Sequence, residues 1–171
     1  ADLNNDGRLD YAGNPQSDNV SIVLNLGNGQ MARRVNYAAG SYAWGLAAGD
    51  LDGDGDKDLA VAQWGGASVG ILLNNGAGVF SLAVSFPTGL TPRHVAMADL
   101  DSDGDLDLVV PNPNSHTVSI LLNNGNATFA PAVNYAAQLF PWTVGLADYD
   151  LDGDIDFAVC NEGIASNSIS V

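Results

Sequence analysis

An acidic segment of nine residues occurs four times in this 171-residue chain, and no other feature restricts the fold so severely. The copies read Asp2-Leu-Asn-Asn-Asp-Gly-Arg-Leu-Asp10, Asp50-Leu-Asp-Gly-Asp-Gly-Asp-Lys-Asp58, Asp99-Leu-Asp-Ser-Asp-Gly-Asp-Leu-Asp107 and Asp148-Tyr-Asp-Leu-Asp-Gly-Asp-Ile-Asp156. They begin 48, 49 and 49 residues apart. A period of this length marks an array of similar units, each burying its apolar face against a neighbour.

Within each copy, positions 1, 3, 5 and 9 carry a carboxylate or amide and position 6 is Gly. A hard cation such as Ca²⁺ needs such a set of oxygen ligands. The candidates are Asp2, Asn4, Asp6 and Asp10 in loop 1, and Asp50, Asp52, Asp54 and Asp58 in loop 2. Loop 3 offers Asp99, Asp101, Asp103 and Asp107, and loop 4 Asp148, Asp150, Asp152 and Asp156. Position 7 is Arg8, Asp56, Asp105 or Asp154. That variety suits a residue contributing only its backbone carbonyl. Gly7, Gly55, Gly104 and Gly153 stand where the chain turns sharply enough that a β-carbon is expected to be in the way. Up to four Ca²⁺ are expected, one per loop.

A single Asp-Gly cluster is often an ordinary solvated turn. Four in register, three of them with five carboxylates each, repel themselves unless a cation neutralises them. Loop 1 is the weakest, because Asn4 replaces an Asp and Arg8 brings a positive charge. An EF-hand is excluded: it needs Glu at position 12 and flanking helices, whereas Gly13, Val61, Val110 and Val159 stand there.

Between the loops the pattern resolves into four short strands and no helix. The first leads into the loop (Leu46–Gly49, Val95–Ala98, Val144–Ala147) and is built of small residues, as where strands converge on an axis. The second (Leu59–Ala62, Leu108–Val110, Phe157–Cys160) is apolar at consecutive positions, the mark of a strand covered on both faces. The third (Val20–Leu24, Val69–Leu73, Val118–Leu122) ends in Asn25-Leu-Gly27, Asn74-Asn-Gly76 and Asn123-Asn-Gly125, which supply positive-φ residues for a hairpin. The fourth alternates through Phe80, Leu82, Val84 and Phe86, and through Phe129, Pro131, Val133 and Tyr135, so one buried face is expected. Pro131 fits only an outer edge strand.

Four antiparallel strands per repeat, stacked on neighbouring copies, predict an all-β fold of β-propeller blades. A flat sandwich would not require one loop to recur at fixed spacing. The blades fall at residues 1–42, 43–91, 92–140 and 141–171. The first lacks its innermost strand and the last stops in its third, giving about three and a half blades. Closed propellers have about 4–8, so we expect a piece of a larger propeller.

Charge narrows the partners. Twenty acidic residues stand against five basic ones, a formal −15, and only Asp18 and Glu162 lie outside the loops. Four Ca²⁺ would bring the balance to −7, still hostile to nucleic acid and anionic membranes. Cys160 is the single cysteine, which rules out an intrachain disulfide; beside Phe157, Ala158 and Val159 it reads as a buried strand residue. Weak modular Ca²⁺ sites suit the millimolar Ca²⁺ outside cells, so a secreted or surface protein is expected. No apolar run approaches the ~18 residues of a membrane span. No signal peptide precedes Ala1, and the abrupt start reads as trimmed.

The run Val95-Ala-Met-Ala-Asp-Leu-Asp-Ser-Asp-Gly-Asp-Leu-Asp-Leu-Val-Val110, with Thr117–Gly125 and Phe129-Ala-Pro131, resembles the FG-GAP/VCBS-type repeat and the calcium-bearing blades of integrin α-subunit propellers. The resemblance covers essentially the whole chain. It implies a propeller, often seven-bladed, with Ca²⁺ between the first and second strands, held by the loop residues named above. Members of the family serve in adhesion, as lectins and as appendages of secreted enzymes.

Strand alternation puts the metal loops and the Asn-Gly turns at one end of the blades. The tryptophans fall at the other: Trp44 and Trp142 six residues before their loops, where the third copy has Arg93, and Trp64 after a second strand. His94 and His116 lie on that side too, with Tyr42 and Gln16 nearby. Exposed indoles among polar groups suit a protein or glycan ligand, whereas recurrence at one repeat position suits aromatics plugging the blade junctions. Catalysis lacks support. Metal-bound carboxylates are poor general bases, and no Cys–His or Gly-x-Ser-x-Gly arrangement occurs. The sequons at Asn19 and Asn126 matter only in a eukaryotic secretory pathway. The reading is a non-catalytic adhesion or recognition scaffold; the alternatives are a lectin proper and an accessory domain of a secreted hydrolase or lyase.

Overall fold

The second strand of each repeat dictates the architecture, because its side chains point alternately to two different neighbours. The computed structural model describes residues 1–13 and 17–162, and the backbone of 168–170. In chain order the strands are β1 (Tyr11–Gly13), β2 (Asn19–Val23), β3 (Asn25–Gly27), β4 (Gln30–Met31), β5 (Val35–Ala38), β6 (Ala43–Gly49), β7 (Asp58–Gln63) and β8 (Ser68–Leu72). They continue as β9 (Val84–Pro87), β10 (Ala96–Ala98), β11 (Asp107–Asn112), β12 (Thr117–Leu121), β13 (Val133–Ala136), β14 (Pro141–Ala147), β15 (Asp156–Asn161) and β16 (Ser168–Ser170). Among the described residues the one helical turn is a 3₁₀ turn at Pro113–Ser115.

Every sheet follows chain order: β1-β2-β5, β6-β7-β8-β9, β10-β11-β12-β13 and β14-β15-β16, with β3-β4 a small ribbon beside the first. All pairings are antiparallel, so each repeat is a meander, the topology of a propeller blade. The core lies between sheets. Leu59 and Val61 of β7 pack with Leu3, Val20 and Ile22 of the first blade. Ala60 turns the other way, towards Val95, Leu108 and Val110 of the third. Val109 in turn meets Val144 and Val159 of the fourth. Continuous hydrophobicity in these strands thus reflects burial on both faces.

Aromatic side chains lock the outer part of the first two junctions. Phe80 reaches back to Tyr37 of the preceding blade, ring centroids 5.4 Å apart and planes at 73°. One period later Phe129 meets Phe86 at 5.0 Å and 74°. Both pairs have the edge-to-face geometry that ring quadrupoles favour.

Three expectations fail. The fourth strand has no single buried face: Phe80 and Phe129 are buried, but Leu82 is 80 % and Val84 60 % exposed. The chain makes one bridge at each phenylalanine, to Asn74 and to Asn123, then leaves the sheet until β9 or β13 begins at the rim. Pro131 lies in that unpaired stretch rather than in a strand, where its missing N–H breaks no ladder. Cys160 is exposed, not buried. Val159 faces the third blade, so its neighbour Cys160 points to the opposite side of the sheet, against which no further sheet packs among the described residues.

Candidate metal centres

The four acidic segments form the loops ahead of β1, β7, β11 and β15, and each wraps its own backbone around its first carboxylate. The position-6 glycine N–H donates to position 1 in every copy: Gly7 to Asp2 at 2.8 Å, Gly55 to Asp50 at 3.0 Å, Gly104 to Asp99 at 3.0 Å and Gly153 to Asp148 at 3.1 Å. The glycine is required by conformation rather than by space. Its φ lies between 84° and 103° in the four loops, yet an added β-carbon would meet nothing within 4 Å. The expected steric reason is therefore replaced by a backbone one.

Position 9 is the anchor. Asp58 accepts from the N–H of Leu51 at 2.9 Å and of Asn74 at 2.8 Å. Asp107 accepts likewise from Leu100 and Asn123, and Asp10 from Leu3 and Asn25. Asp156 accepts from Tyr149. Asp58 and Asp107 are wholly buried. A carboxylate oxygen has lone pairs enough to accept an amide and still face a cation.

Oxygens of Asp50, Asp52 and Asp58 lie within 4.8 Å of one another, as do those of Asp99, Asp101 and Asp107, and of Asp148, Asp150 and Asp156. Positions 1, 3 and 9 are thus brought together. Position 5 is partly engaged by the loop backbone: one oxygen of Asp54, Asp103 and Asp152 accepts the N–H of position 7 at 2.8 to 2.9 Å. Position 7 turns its side chain away from the loop centre, Asp56 accepting from Asn5 of the neighbouring loop at 2.6 Å. Asp105 lies against Gly125 in the following turn. Only the position-7 carbonyl remains for an ion in these loops.

Electrostatics distinguish the loops. Burial, reinforced by the charges of Asp52 and Asp54, pushes the Asp58 carboxyl up to about 6 against the pull of its two amide partners. Burial raises Asp107 in the same way, with Asp101 and Asp103 adding to it. Asp52 is raised by partial burial and by Asp54 and Asp50. In loop 1 desolvation is outweighed by backbone donors from Gly7, Asn4, Asp6 and Asn5, which hold Asp2 below its usual range. There Arg8 pairs with Asp6, the one salt bridge among the described residues. Loops 2 to 4 therefore converge carboxylates that no salt bridge neutralises among the described residues, and the donor set fits a hard divalent cation. Loop 1 partly neutralises itself.

At the other end of the blades the aromatics form a continuous stack. Trp44 and Trp142 sit at irregular points of β6 and β14, where the pairing register shifts. The Arg93 guanidinium lies between them, 4.2 Å from the Trp44 ring and 3.5 Å from that of Trp142. Tyr42 and Trp64 pack on Trp44 with centroids 6.0 and 6.1 Å away. One face of each of Trp44 and Trp142 is thus occupied by the chain itself. His94 is kept neutral by burial, and its Nδ1 lacks a hydrogen-bond partner, as does Nε1 of Trp142. His116 caps the 3₁₀ turn, accepts from Phe140 N–H at 3.2 Å and stacks edge-on with its ring. Gln16 lies outside the described residues.

Sequence reasoning missed Asn74 and Asn123, reading them as hairpin formers. Their side-chain amides donate to the carbonyls of Leu3 and Leu51 in the preceding loop, both at 2.8 Å. The signal was present: two identical amides one 49-residue period apart.

Comparison with known proteins agrees with this geometry. No curated protein sequence matches the chain. Among solved structures, the Agrocybe aegerita lectin described as recognising non-reducing terminal N-acetylglucosamine superposes with a TM-score of 0.64 at 25 % identity, over 94 % of this chain and 45 % of that one. The pore of the Photorhabdus luminescens Tc holotoxin aligns at 20 % identity over 88 % of this chain and 8 % of that one, with a TM-score of 0.47. This chain thus spans less than half the length of either. The FG-GAP-like repeat profile matches residues 2–61 and 50–110, and the FG-GAP repeat profile residues 91–132. With well over half its length matched and the repeats folded as propeller blades, the chain belongs to the FG-GAP repeat family.

Proposed function

We propose that this β-propeller recognition domain binds Ca²⁺ in its acidic loops and serves outside the cell as a non-catalytic adhesion or recognition scaffold. The observation that carries the proposal is the convergence of three carboxylates in each of loops 2, 3 and 4, with Asp58 and Asp107 fully buried. Bound Ca²⁺ supplies the positive charge that lets those carboxylates stay ionised in close array. Asp50, Asp52 and Asp58 would hold it in loop 2, and their counterparts in loops 3 and 4, with Asp54, Asp103 and Asp152 close by. Loop 1 binds more weakly. The family supports a position outside the cell, and among the described residues no helix is long and apolar enough to cross a membrane. Calorimetric titration with Ca²⁺ tests the proposal: uptake is expected, weakened by Asp52→Asn or Asp101→Asn. Absence of uptake by the unmodified chain overturns it.

A second reading, that the ligand is a glycan bound between blades, draws on the likeness to the lectin. A groove of about 450 Å³ between the second and third blades is lined by Phe86, Phe129, Pro131 and Asn134. It joins ring faces to an amide, the combination a sugar requires. A glycan array including terminal N-acetylglucosamine separates a lectin from a protein-binding scaffold. Service as an appendage of a secreted hydrolase or lyase is the third reading, decided by any catalytic domain on the same polypeptide.

A further inference from the structure

Each metal loop that precedes a complete blade accepts a side-chain bond from an asparagine of that blade, and at loop 2 the Leu51 carbonyl also accepts from the Ala127 N–H at 2.8 Å. Leu51 lies between Asp50 and Asp52, so whatever holds its peptide positions two carboxylates of loop 2. Its carbonyl accepts from Asn123 Nδ2 at 2.8 Å, a buried bond across the junction. The main-chain N–H of that same Asn123 is bound to Asp107, the position-9 carboxylate of loop 3. The arrangement repeats one blade earlier. Asn74 donates from its side chain to Leu3, between Asp2 and Asn4, and from its backbone to Asp58. Leu51 N–H in turn reaches the other oxygen of Asp58. The bonds therefore join end to end, from loop 3 through loop 2 to loop 1, and most of them are shielded from water, where hydrogen bonds reinforce one another.

We propose that calcium uptake by adjacent loops is coupled through Asn74 and Asn123, which act as positioning residues for the loop of the preceding blade. The inference rests on the calcium reading above. An ion in loop 3 fixes Asp107, Asp107 fixes Asn123, and Asn123 fixes the Leu51 peptide. Loop 2 then has less freedom left to lose when its own ion arrives, which is positive cooperativity without a change of shape. By linkage the effect is reciprocal. Loop 1, with the smallest charge, gains most from its neighbour.

Calcium calorimetry on the full chain and four variants tests this. Loop 2 is identified as the binding event weakened in Asp52→Asn. Asp101→Asn takes the charge from an exposed ligand of loop 3 and breaks no bond of the relay. It is expected to lower loop 2 affinity about fivefold or more. Asn123→Ala keeps the backbone N–H on Asp107 and the Ala127 N–H on Leu51 but removes the side-chain bond that links the two, and is expected to weaken loop 2 to a similar degree. With both changes combined, loop 2 should fall no further than with Asn123→Ala alone. Calcium uptake with a loop 2 affinity indifferent to Asp101→Asn overturns the coupling and leaves the calcium reading intact. No uptake by the unmodified chain overturns both. Should Asn123→Ala fail to fold, the Asp101→Asn result decides by itself, since that side chain lies at the surface.

Discussion

At the scale of single residues, the loops are governed by backbone conformation as much as by charge. Position 4 is left-handed in all four copies, φ being 56° at Asn5, 78° at Gly53, 63° at Ser102 and 65° at Leu151. Asn and Gly accept that region readily, whereas a side chain such as Leu is strained there, by about 1 kcal/mol. Leu151 is also 86 % exposed, so it recovers nothing by burial. Leu151→Asn is therefore expected to raise the melting temperature by about 2 °C or more; an unchanged or lower value would show that the leucine contributes a contact. The sequence displayed the ligand pattern openly, because Asp and Gly have few other reasons to recur at this spacing. It concealed position 4, since four different residues occupy it and only φ unites them.

At the scale of elements, Arg93 joins three inner strands. Its guanidinium fills the gap between Trp44 on β6 and Trp142 on β14, while its own N–H donates to Pro111 at the end of β11. Burial lowers its pKa and Glu162 opposes that, so it stays charged. Two partly desolvated cation–π contacts contribute about 1–2 kcal/mol. Arg93→Ala should lower the melting temperature by several degrees, and Arg93→Lys should recover only part, because an ammonium cannot lie flat between two indoles. Full recovery with lysine would mean that charge alone matters. Which strands exist was legible from the 49-residue period and from the doubly apolar runs Leu59–Ala62 and Leu108–Val110. The fourth strand was not. Its alternating pattern is real, but Phe80 is drawn back to Tyr37 and Phe129 to Phe86, and the chain beyond them follows the rim rather than the ladder. Cys160 misled for a related reason: an apolar neighbourhood in sequence does not say which face another sheet will cover.

At the scale of the whole molecule, the calcium proposal sets metal and proton in competition for the same buried carboxylates, and so predicts a pH dependence of stability whose sign reverses with calcium. In the metal-free protein Asp58 has its folded-state pKa raised to about 6, above the ~3.9 of an unfolded chain. Below about pH 4 the group is protonated in both states and its contribution is complete. As pH rises through 6 the unfolded chain releases the proton freely while the folded one resists, and stability falls by about 3 kcal/mol before levelling off. Asp107, raised by the same cause, acts in the same direction. On the calcium proposal the ion takes only the ionised form and only the folded loop, so in its presence rising pH should strengthen binding and stabilise by mass action. Melting curves between pH 4 and 7 should therefore slope downward with excess chelator and upward with excess calcium, diverging by several degrees at neutral pH. Two parallel curves would mean that the buried aspartates are compensated by something other than a divalent ion. A downward slope shared by both conditions would mean that the loops bury their charge without binding calcium.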